Sequence, residues 1–202
     1  MTKNENEEPN IIDTLSSLQE RVWANQLSQK EILINGEIKE DLIEKAVIHI
    51  LNFNTIDDQQ EAIVKDYVRS PIIVYINSIG GLLDEAFSLI SAIESSKTPV
   101  ITYGLGKCYS SGFLILLSGH YRVVQKYTNL MYHQGSAGFI GEFGKHMEYV
   151  EQYRICQSKV EKYVLEKTKI KKTKLDQIFK NKTDWYIEPE EALKLKIIDE
   201  IV

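Results

Sequence analysis

The chain has 202 residues, of which 43% are hydrophobic and 26% are charged, and its formal net charge at neutral pH is -5. This composition fits one globular domain with a sizeable core, and the weak acidic balance gives no general affinity for nucleic acid or anionic membranes. Two cysteines are too few for a disulfide framework, no apolar run has the length of a membrane span, and the acidic N-terminus lacks the features of a secretory signal. The sequence therefore predicts a single-domain protein of the cytoplasm.

The first seventy residues predict one strand between two helices. Residues 1–10 are predicted to form a flexible polar tail, and the apolar spacing over residues 11–27 is compatible with a helix. A short strand over residues 31–36 precedes a helical stripe over residues 40–53. The polar residues 54–70 are compatible with a further helical turn or two.

The middle of the chain predicts alternating strands and helices. Residues 71–77, PIIVYIN, form a continuous apolar run that predicts a strand buried on both faces. A glycine turn and a helix over about residues 82–95 lead to another strand, PVITYG, and then to a helix that opens at Ser110. Two more strands follow, YRVVQK and NLMYHQ. This order predicts βαβ units with right-handed crossovers.

The last third of the chain is predicted to be mostly helical. A long helix is expected over about residues 145–167, and a shorter one over about residues 174–179. A helix PEEALKL and a final strand IIDEIV complete the chain. The lysine-rich stretch over residues 167–182 is interpreted as a solvated face rather than a nucleic-acid site. Residues 11–202 therefore predict one α/β domain.

Three short motifs lie where predicted strands run into the segments that follow them, which is where active sites of α/β proteins collect. They are INSIGG at residues 76–81, GKCYSSG at residues 106–112 and MYHQG at residues 131–135. Each has a structural explanation when taken alone: a tight turn, a helix cap and an ordinary strand histidine. Together they supply the parts of an acyl-transfer site.

Acyl transfer requires a nucleophile, a base, a carboxylate and two oxyanion donors. A serine next to the helix start is a candidate nucleophile, His133 is a candidate base, and the backbone of Gly80 and Gly81 is able to approach a substrate closely. Cys108 stands where an α/β-hydrolase elbow has glycine, which excludes that fold. A Cys108–His133 dyad stays open. The residues alone leave four carboxylates as equal partners of the histidine: Asp176, Asp184, Glu188 and Asp199.

The four stretches that carry these residues resemble the ClpP-type serine peptidases, the proteolytic subunits of the Clp protease. They are INSIGG, GKCYSSGFLILLSG, MYHQG and TDWYIEPEEALKLKIIDEIV, in that order along the chain. The resemblance runs from about Ile11 to the C-terminus. The chain departs from the family pattern where Ile79 and Gly135 stand at positions of proline.

The resemblance implies a fold and a set of site residues. The fold is α/β, a ClpP/crotonase-like spiral of repeated β-β-α units with a protruding handle helix in a region of about residues 135–170. The implied nucleophile is Ser110, the general base and later acid is His133, and Asp184 orients that histidine. The implied oxyanion hole consists of two backbone amides, those of Gly81 and Ser111. The Ser111 side chain is expected to be replaceable, and neither a cofactor nor a metal is implied.

The resemblance also implies an activity and partners. The expected protein is a serine endopeptidase that cleaves unfolded polypeptides inside a self-assembled chamber, a heptameric ring stacked as a tetradecamer, in cytoplasmic protein quality control. An AAA+ unfoldase acting in trans is expected, and neither nucleic acid nor membrane is. Three alternatives stay open: a phage-type head-maturation protease without an unfoldase, a crotonase-like acyl-CoA enzyme, and a non-catalytic ring subunit.

Overall fold

The computed structural model describes residues 20–22, 24–135, 140 and 142–202. The predicted tail and most of the predicted first helix lie outside the described residues, and residues 24–28 are helical. The strands are β1 (Glu31–Ile38), β2 (Ile72–Gly81), β3 (Val100–Tyr109), β4 (Tyr121–Val124), β5 (Asn129–Tyr132), β6 (Trp185–Ile187) and β7 (Glu200–Ile201). A π-helical stretch (Ile43–Val47) leads into α1 (Ile48–Ile63), and the further helices are α2 (Leu83–Glu94), α3 (Ser111–Ser118), α4 (Phe143–Lys167), α5 (Lys172–Asn181) and α6 (Pro189–Lys194).

The sheet is parallel along its main path, which runs β1-β2-β3-β4-β7. Strand β3 is long enough to serve two neighbours in succession on the edge that faces away from β2. Its first half, Ile101–Gly104, pairs with β4, and its last residues, Lys107–Tyr109, pair with β5. Strand β6 then pairs with β5 in antiparallel orientation. The sheet therefore divides at β3, and β5 carries its own branch.

Strands β2 and β3 run further than the sequence predicts. Pairing between β1 and β2 continues to the Ile38–Gly81 pair, and Ser78 of β2 pairs with Cys108 of β3. The motifs expected in turns are therefore held partly in strand conformation. The prediction that β2 is buried on both faces is wrong for the single chain, because buried residues alternate along the strand with half-exposed or exposed ones. On the more exposed face, the Tyr75 ring contacts the Tyr103 ring at 5.4 Å between centroids.

The helix α3 forms the centre of the core. All of its residues from Ser111 to Ser118 are buried. It contacts β2 and β3 on one side and the helices α2 and α4 on others. A helix that is apolar on every side is stable only when it is enclosed in this way. Because α3 is enclosed, its N-terminal residue is held firmly against the carboxyl ends of β2 and β3.

A buried polar cluster ties α1 to the sheet. The Asp57 side chain is fully buried and accepts hydrogen bonds from the Lys30 ammonium and the Tyr67 hydroxyl at 2.7 Å and from the Thr98 hydroxyl at 2.5 Å. Burial opposes the charged form, but the bonds from Lys30, Thr98 and Tyr67 outweigh it and hold the pKa of Asp57 below its usual value. Asp57 lies in the part of the chain after residue 53, where the sequence predicts a further helical turn or two; in the structure, α1 continues through this part to Ile63.

No helix in the described ranges combines the length and the apolar content that a bilayer crossing requires.

Candidate active site

Ser110 lies at the turn from β3 into α3. Its φ of 54° and ψ of -123° place a residue other than glycine at positive φ, a strained conformation that clusters at functional sites. The turn is fixed because the Ser110 amide donates to the Met131 carbonyl at 3.0 Å and the Ser110 carbonyl accepts from the Phe113 amide at 3.0 Å. The side chain makes no capping hydrogen bond to the helix. The helix-cap explanation of Ser110 is therefore not supported, and its hydroxyl is directed elsewhere.

The Ser110 hydroxyl meets the imidazole of His133. The distance from Ser110 Oγ to His133 Nε2 is 2.9 Å, within hydrogen-bond range. The sheet produces this contact, because Tyr109 on β3 pairs with Met131 on β5 and both strands end within two residues of that pair. A hydroxyl and an imidazole at this distance have the geometry of a nucleophile and its base.

The strand β6 brings Asp184 to the other ring nitrogen of His133. Trp185 pairs with Tyr132 in the antiparallel register, so the residues next to that pair, Asp184 and His133, lie side by side. The distance from Asp184 Oδ1 to His133 Nδ1 is 3.4 Å, an ion-pair distance slightly longer than a normal hydrogen bond. The Asp184 side chain is 50% exposed, so this edge of the site is open to solvent in the single chain.

Two of the other candidate carboxylates have different partners. Asp199 accepts from the Arg122 guanidinium at 2.9 and 3.0 Å, and Asp176 accepts from Lys172 at 3.3 Å. Strand pairing places Asp184 beside His133, a contact that the residues alone did not predict. Strand β6, which carries this pairing, is not predicted by the sequence.

The glycine pair of β2 lies directly against Ser110. Gly80 has a φ of 92°, and a Cβ placed on it would lie 2.6 Å from the Cβ of Ser110. Gly81 has a φ of 151°, and a Cβ placed there would lie 2.1 Å from the Ile38 carbonyl oxygen. Both positions therefore require glycine, and the backbone passes close to the Ser110 hydroxyl. The Gly80 amide donates to the Ser78 hydroxyl at 3.0 Å.

Ser111 is buried beside the glycine pair. Its hydroxyl donates to the Gly81 carbonyl at 3.2 Å. The Ser111 side chain, expected from the resemblance to be largely replaceable, thus makes a buried contact, and the sequence holds no signal for a contact between residues thirty positions apart. Ser78, which is fully buried, was likewise not singled out by the sequence.

The thiol of Cys108 is fully buried, with Sγ 3.7 Å from the Ile76 carbonyl oxygen. Burial raises the pKa of this thiol far above its usual value. The thiolate is the nucleophilic form of cysteine, so both observations disfavour the Cys108–His133 dyad.

A cleft of about 540 Å³ opens beside His133 and Asp184. Tyr149 and Tyr153 from α4 line one part of it, and Lys182 lines another. The Tyr153 hydroxyl donates to the carbonyl of Gly135 and accepts from the Gln134 side-chain amide at 3.3 Å. The helix α4 is thereby attached to the segment that directly follows His133.

Within the described part of the chain, no group of three or more His, Cys, Asp or Glu side chains is placed to hold a metal ion.

The fold and the site together define an α/β protein with a serine and a histidine in contact where its parallel strands end. Residues 16–202 match the protein-family model described as Clp protease, so the chain belongs to the Clp protease family. It is a ClpP-type proteolytic subunit, a class of peptidase, and the family predicted from the motifs is confirmed.

Named relatives agree with this membership. The chain is 25% identical over 178 residues to ATP-dependent Clp protease proteolytic subunit 2 of Treponema pallidum, with 87% of this chain and 83% of that protein covered. It is 30% identical over 147 residues to the protein of the same name from Treponema denticola, with 70% and 67% covered. A solved structure of a mutant ClpP from Listeria monocytogenes superimposes with a TM-score of 0.72 at 22% identity, covering 90% of this chain and 95% of that one. The predicted fold is thereby confirmed.

Proposed function

We propose that the chain is a serine endopeptidase with Ser110 as nucleophile, His133 as general base and acid, and Asp184 as the group that orients the histidine. The observation that carries the proposal is the 2.9 Å contact between Ser110 Oγ and His133 Nε2. Family membership supports peptide-bond hydrolysis as the reaction. The same side chains, brought together, argue against an acyl-CoA enzyme and against a non-catalytic ring subunit.

In the proposed mechanism, His133 Nε2 takes the proton from Ser110 Oγ as that oxygen attacks the carbonyl carbon of the scissile peptide. The imidazolium is stabilised by the Asp184 carboxylate at Nδ1, and the Nε2 proton then passes to the leaving amine. The acyl-enzyme is hydrolysed by water, with His133 again acting first as base and then as acid.

The oxyanion that forms on the substrate carbonyl accepts, in this proposal, from the backbone amides of Gly81 and Ser111. The positions of these two amides support the assignment. Ser111 is the first residue of α3, and the first amides of a helix have no partner within it. The glycine pair lies directly against Ser110. Donors of this kind, already oriented before reaction, contribute a large part of the rate enhancement in acyl transfer.

The proposed working form is a homo-oligomeric chamber, a heptameric ring stacked as a tetradecamer, with unfolded polypeptide as substrate. Large apolar side chains that are exposed on the single chain are consistent with subunit contacts; they include Ile63, Val68 and Tyr127. The open Asp184 edge and its long distance from His133 are consistent with a site that a neighbour completes. Residues 11–202 are proposed to form a single peptidase domain, with a handle region over about residues 135–170.

The proposed partner is an AAA+ unfoldase that acts in trans, in cytoplasmic protein quality control. Its support is that the named relatives are ATP-dependent proteases, whereas this sequence has no nucleotide-binding motif. A phage-type head-maturation role without an unfoldase is the second candidate. It is favoured by Ile79, which replaces the family's proline and is exposed in the single chain.

The test combines active-site labelling with native mass measurement. A fluorophosphonate probe should label the assembled protein on Ser110, Ser110→Ala should abolish labelling, and Ser111→Ala should retain it. Labelling that persists in Ser110→Ala contradicts the assigned nucleophile. A labelled chain that stays monomeric contradicts the chamber.

A further inference from the structure

Two buried serine hydroxyls hold the glycine pair that faces Ser110. The Ser78 hydroxyl accepts from the Gly80 amide at 3.0 Å, and the Ser111 hydroxyl donates to the Gly81 carbonyl at 3.2 Å. Ser78 is completely buried and Ser111 is 2% exposed, so water does not compete well for either bond.

These bonds fix the peptide units on both sides of the Gly81 amide. The Gly80 N–H belongs to the preceding peptide unit, which Ser78 holds. The following unit is held at both ends, since the Gly81 carbonyl accepts from Ser111 and the Leu82 amide donates to the Ile38 carbonyl at 2.9 Å. The unit that carries the Gly81 N–H lies between them and is also part of the β1–β2 ladder through the Ile38–Gly81 pair.

Such fixing matters because a Gly-Gly peptide rotates more easily than any other. Gly80 and Gly81 both have positive φ, at 92° and 151°, and glycine populates both signs of φ at little cost. The β1–β2 ladder reaches the Ile38–Gly81 pair and holds this peptide from the side of β1. The Ser111 hydroxyl holds the Gly81 carbonyl from the side of α3.

We propose that the Ser111 hydroxyl is a positioning group that keeps the Gly81 amide directed at the oxyanion site. Ser111 follows Ser110 directly, so the bond joins the first residue of the nucleophile's helix to the loop that supplies the second amide donor. The inference rests on the proposed function, because it gives Gly81 the role of an oxyanion donor. It assigns the Ser111 side chain a task separate from that of its own amide.

The chain provides a matched control at the other end of the same helix. Ser118 is also buried, at 1% exposure, and its hydroxyl donates to the Ile115 carbonyl at 2.7 Å. Ser118→Ala and Ser111→Ala thus remove the same group from the same helix, each with one bond to a backbone carbonyl. Only the second change affects the glycine loop.

The experiment compares the two variants as assembled protein. Removal of an oxyanion donor typically lowers kcat about 10²–10³-fold, and loosening one should lower it less, by about tenfold. We expect Ser111→Ala to lower kcat by about tenfold with KM within about twofold of the parent, since the interaction is made in the transition state. Affinity for a peptide boronic acid, which becomes tetrahedral on Ser110 Oγ, should fall by a similar factor. Ser118→Ala should leave kcat, KM and boronate affinity unchanged, and melting temperatures report any loss of stability in both variants.

An unchanged kcat in Ser111→Ala, or an equal fall of kcat in both variants, overturns the positioning role. The proposed function is tested separately by fluorophosphonate labelling of the parent protein. Labelling on Ser110 together with an unchanged kcat in Ser111→Ala removes this inference alone. Absence of labelling on Ser110 in the assembled parent removes the proposed function and the inference with it.

Discussion

Trp185 pairs with Tyr132 across the antiparallel strands β6 and β5, and this pair places Asp184 beside His133. The two partners are more than fifty residues apart in the chain. The three residues of β6 are enough to hold Asp184 in place, because the neighbouring strand β5 is itself paired with β3 next to Ser110. The candidate triad therefore depends on one short strand at the edge of the sheet.

Asp184→Asn should lower kcat by about 10²–10³-fold. The asparagine side-chain amide is unable to hold the histidine in the correct tautomer. Where the carboxylate is buried, this substitution lowers kcat by about 10⁴-fold. Asp184 is half-exposed and lies 3.4 Å from His133 Nδ1, so its loss should lower kcat somewhat less than the loss of a buried carboxylate does. Steady-state hydrolysis of a fluorogenic peptide measures the effect. Asp176→Asn is the control, since that carboxylate pairs with Lys172, and comparable losses in both variants would contradict the role of Asp184.

Gly80→Ala should abolish fluorophosphonate labelling. The new Cβ would lie 2.6 Å from the Cβ of Ser110, so the nucleophile or the loop must move. Gly36→Ala provides the control: Gly36 has nearly the same φ, 91°, but a Cβ there meets nothing within 4 Å. Both variants carry backbone strain of about 1–2 kcal/mol, and only Gly80→Ala crowds the site. Retained labelling in Gly80→Ala, with the fold intact by circular dichroism, would contradict the close approach.

Tyr153→Phe should lower kcat by about threefold to tenfold. The change removes the hydroxyl that joins α4 to Gln134 and Gly135, and misplacement of a catalytic group by less than 1 Å has effects of this size. Tyr163→Phe is the matched control. The Tyr163 hydroxyl also lies on α4, but it contacts the Leu114 carbonyl, at 3.4 Å, and not the segment after His133. Peptidase kinetics and melting temperature of both variants separate the outcomes. If the two lose activity in equal measure, the helix as a whole is affected and not the His133 segment.

Asp57→Asn should destabilise the fold by about 3 kcal/mol near neutral pH, because it leaves the Lys30 ammonium without its buried carboxylate partner. The pKa of Asp57 is lowered in the folded state, so its stabilisation is complete above the unfolded value near about 4 and is lost as the pH falls toward the folded value. Urea unfolding at neutral pH and at about pH 3 measures both effects.

The difference between the parent and Asp57→Asn should therefore shrink in acid. Asp41→Asn is the control, since Asp41 pairs with Lys45 at the surface and both side chains are more than half exposed, so this ion pair contributes little. A difference between the parent and Asp57→Asn that stays constant down to about pH 3 would show that the charge on Asp57 is not what stabilises the cluster.

The choice of Ser110 came from the family resemblance, whereas local patterns in the sequence determined the α/β class, the order of most elements, and His133 and a serine next to the helix start as candidates. These features depend on local information: apolar periodicity, a glycine turn, and residue types at strand ends. The sequence did not predict β6, because three residues carry no periodicity, and it ended β2 and β3 too early because glycine and polar residues interrupt the apolar runs.

Tertiary structure decided which groups meet. Pairing of β6 with β5 brought one carboxylate to His133, while Arg122 engaged Asp199. Pairing of β1 with β2 extended the strand to Gly81 and set it beside Ser111. Contacts between residues thirty or more positions apart leave no local pattern in a single sequence, since they arise only when the strands pair and the core closes around α3.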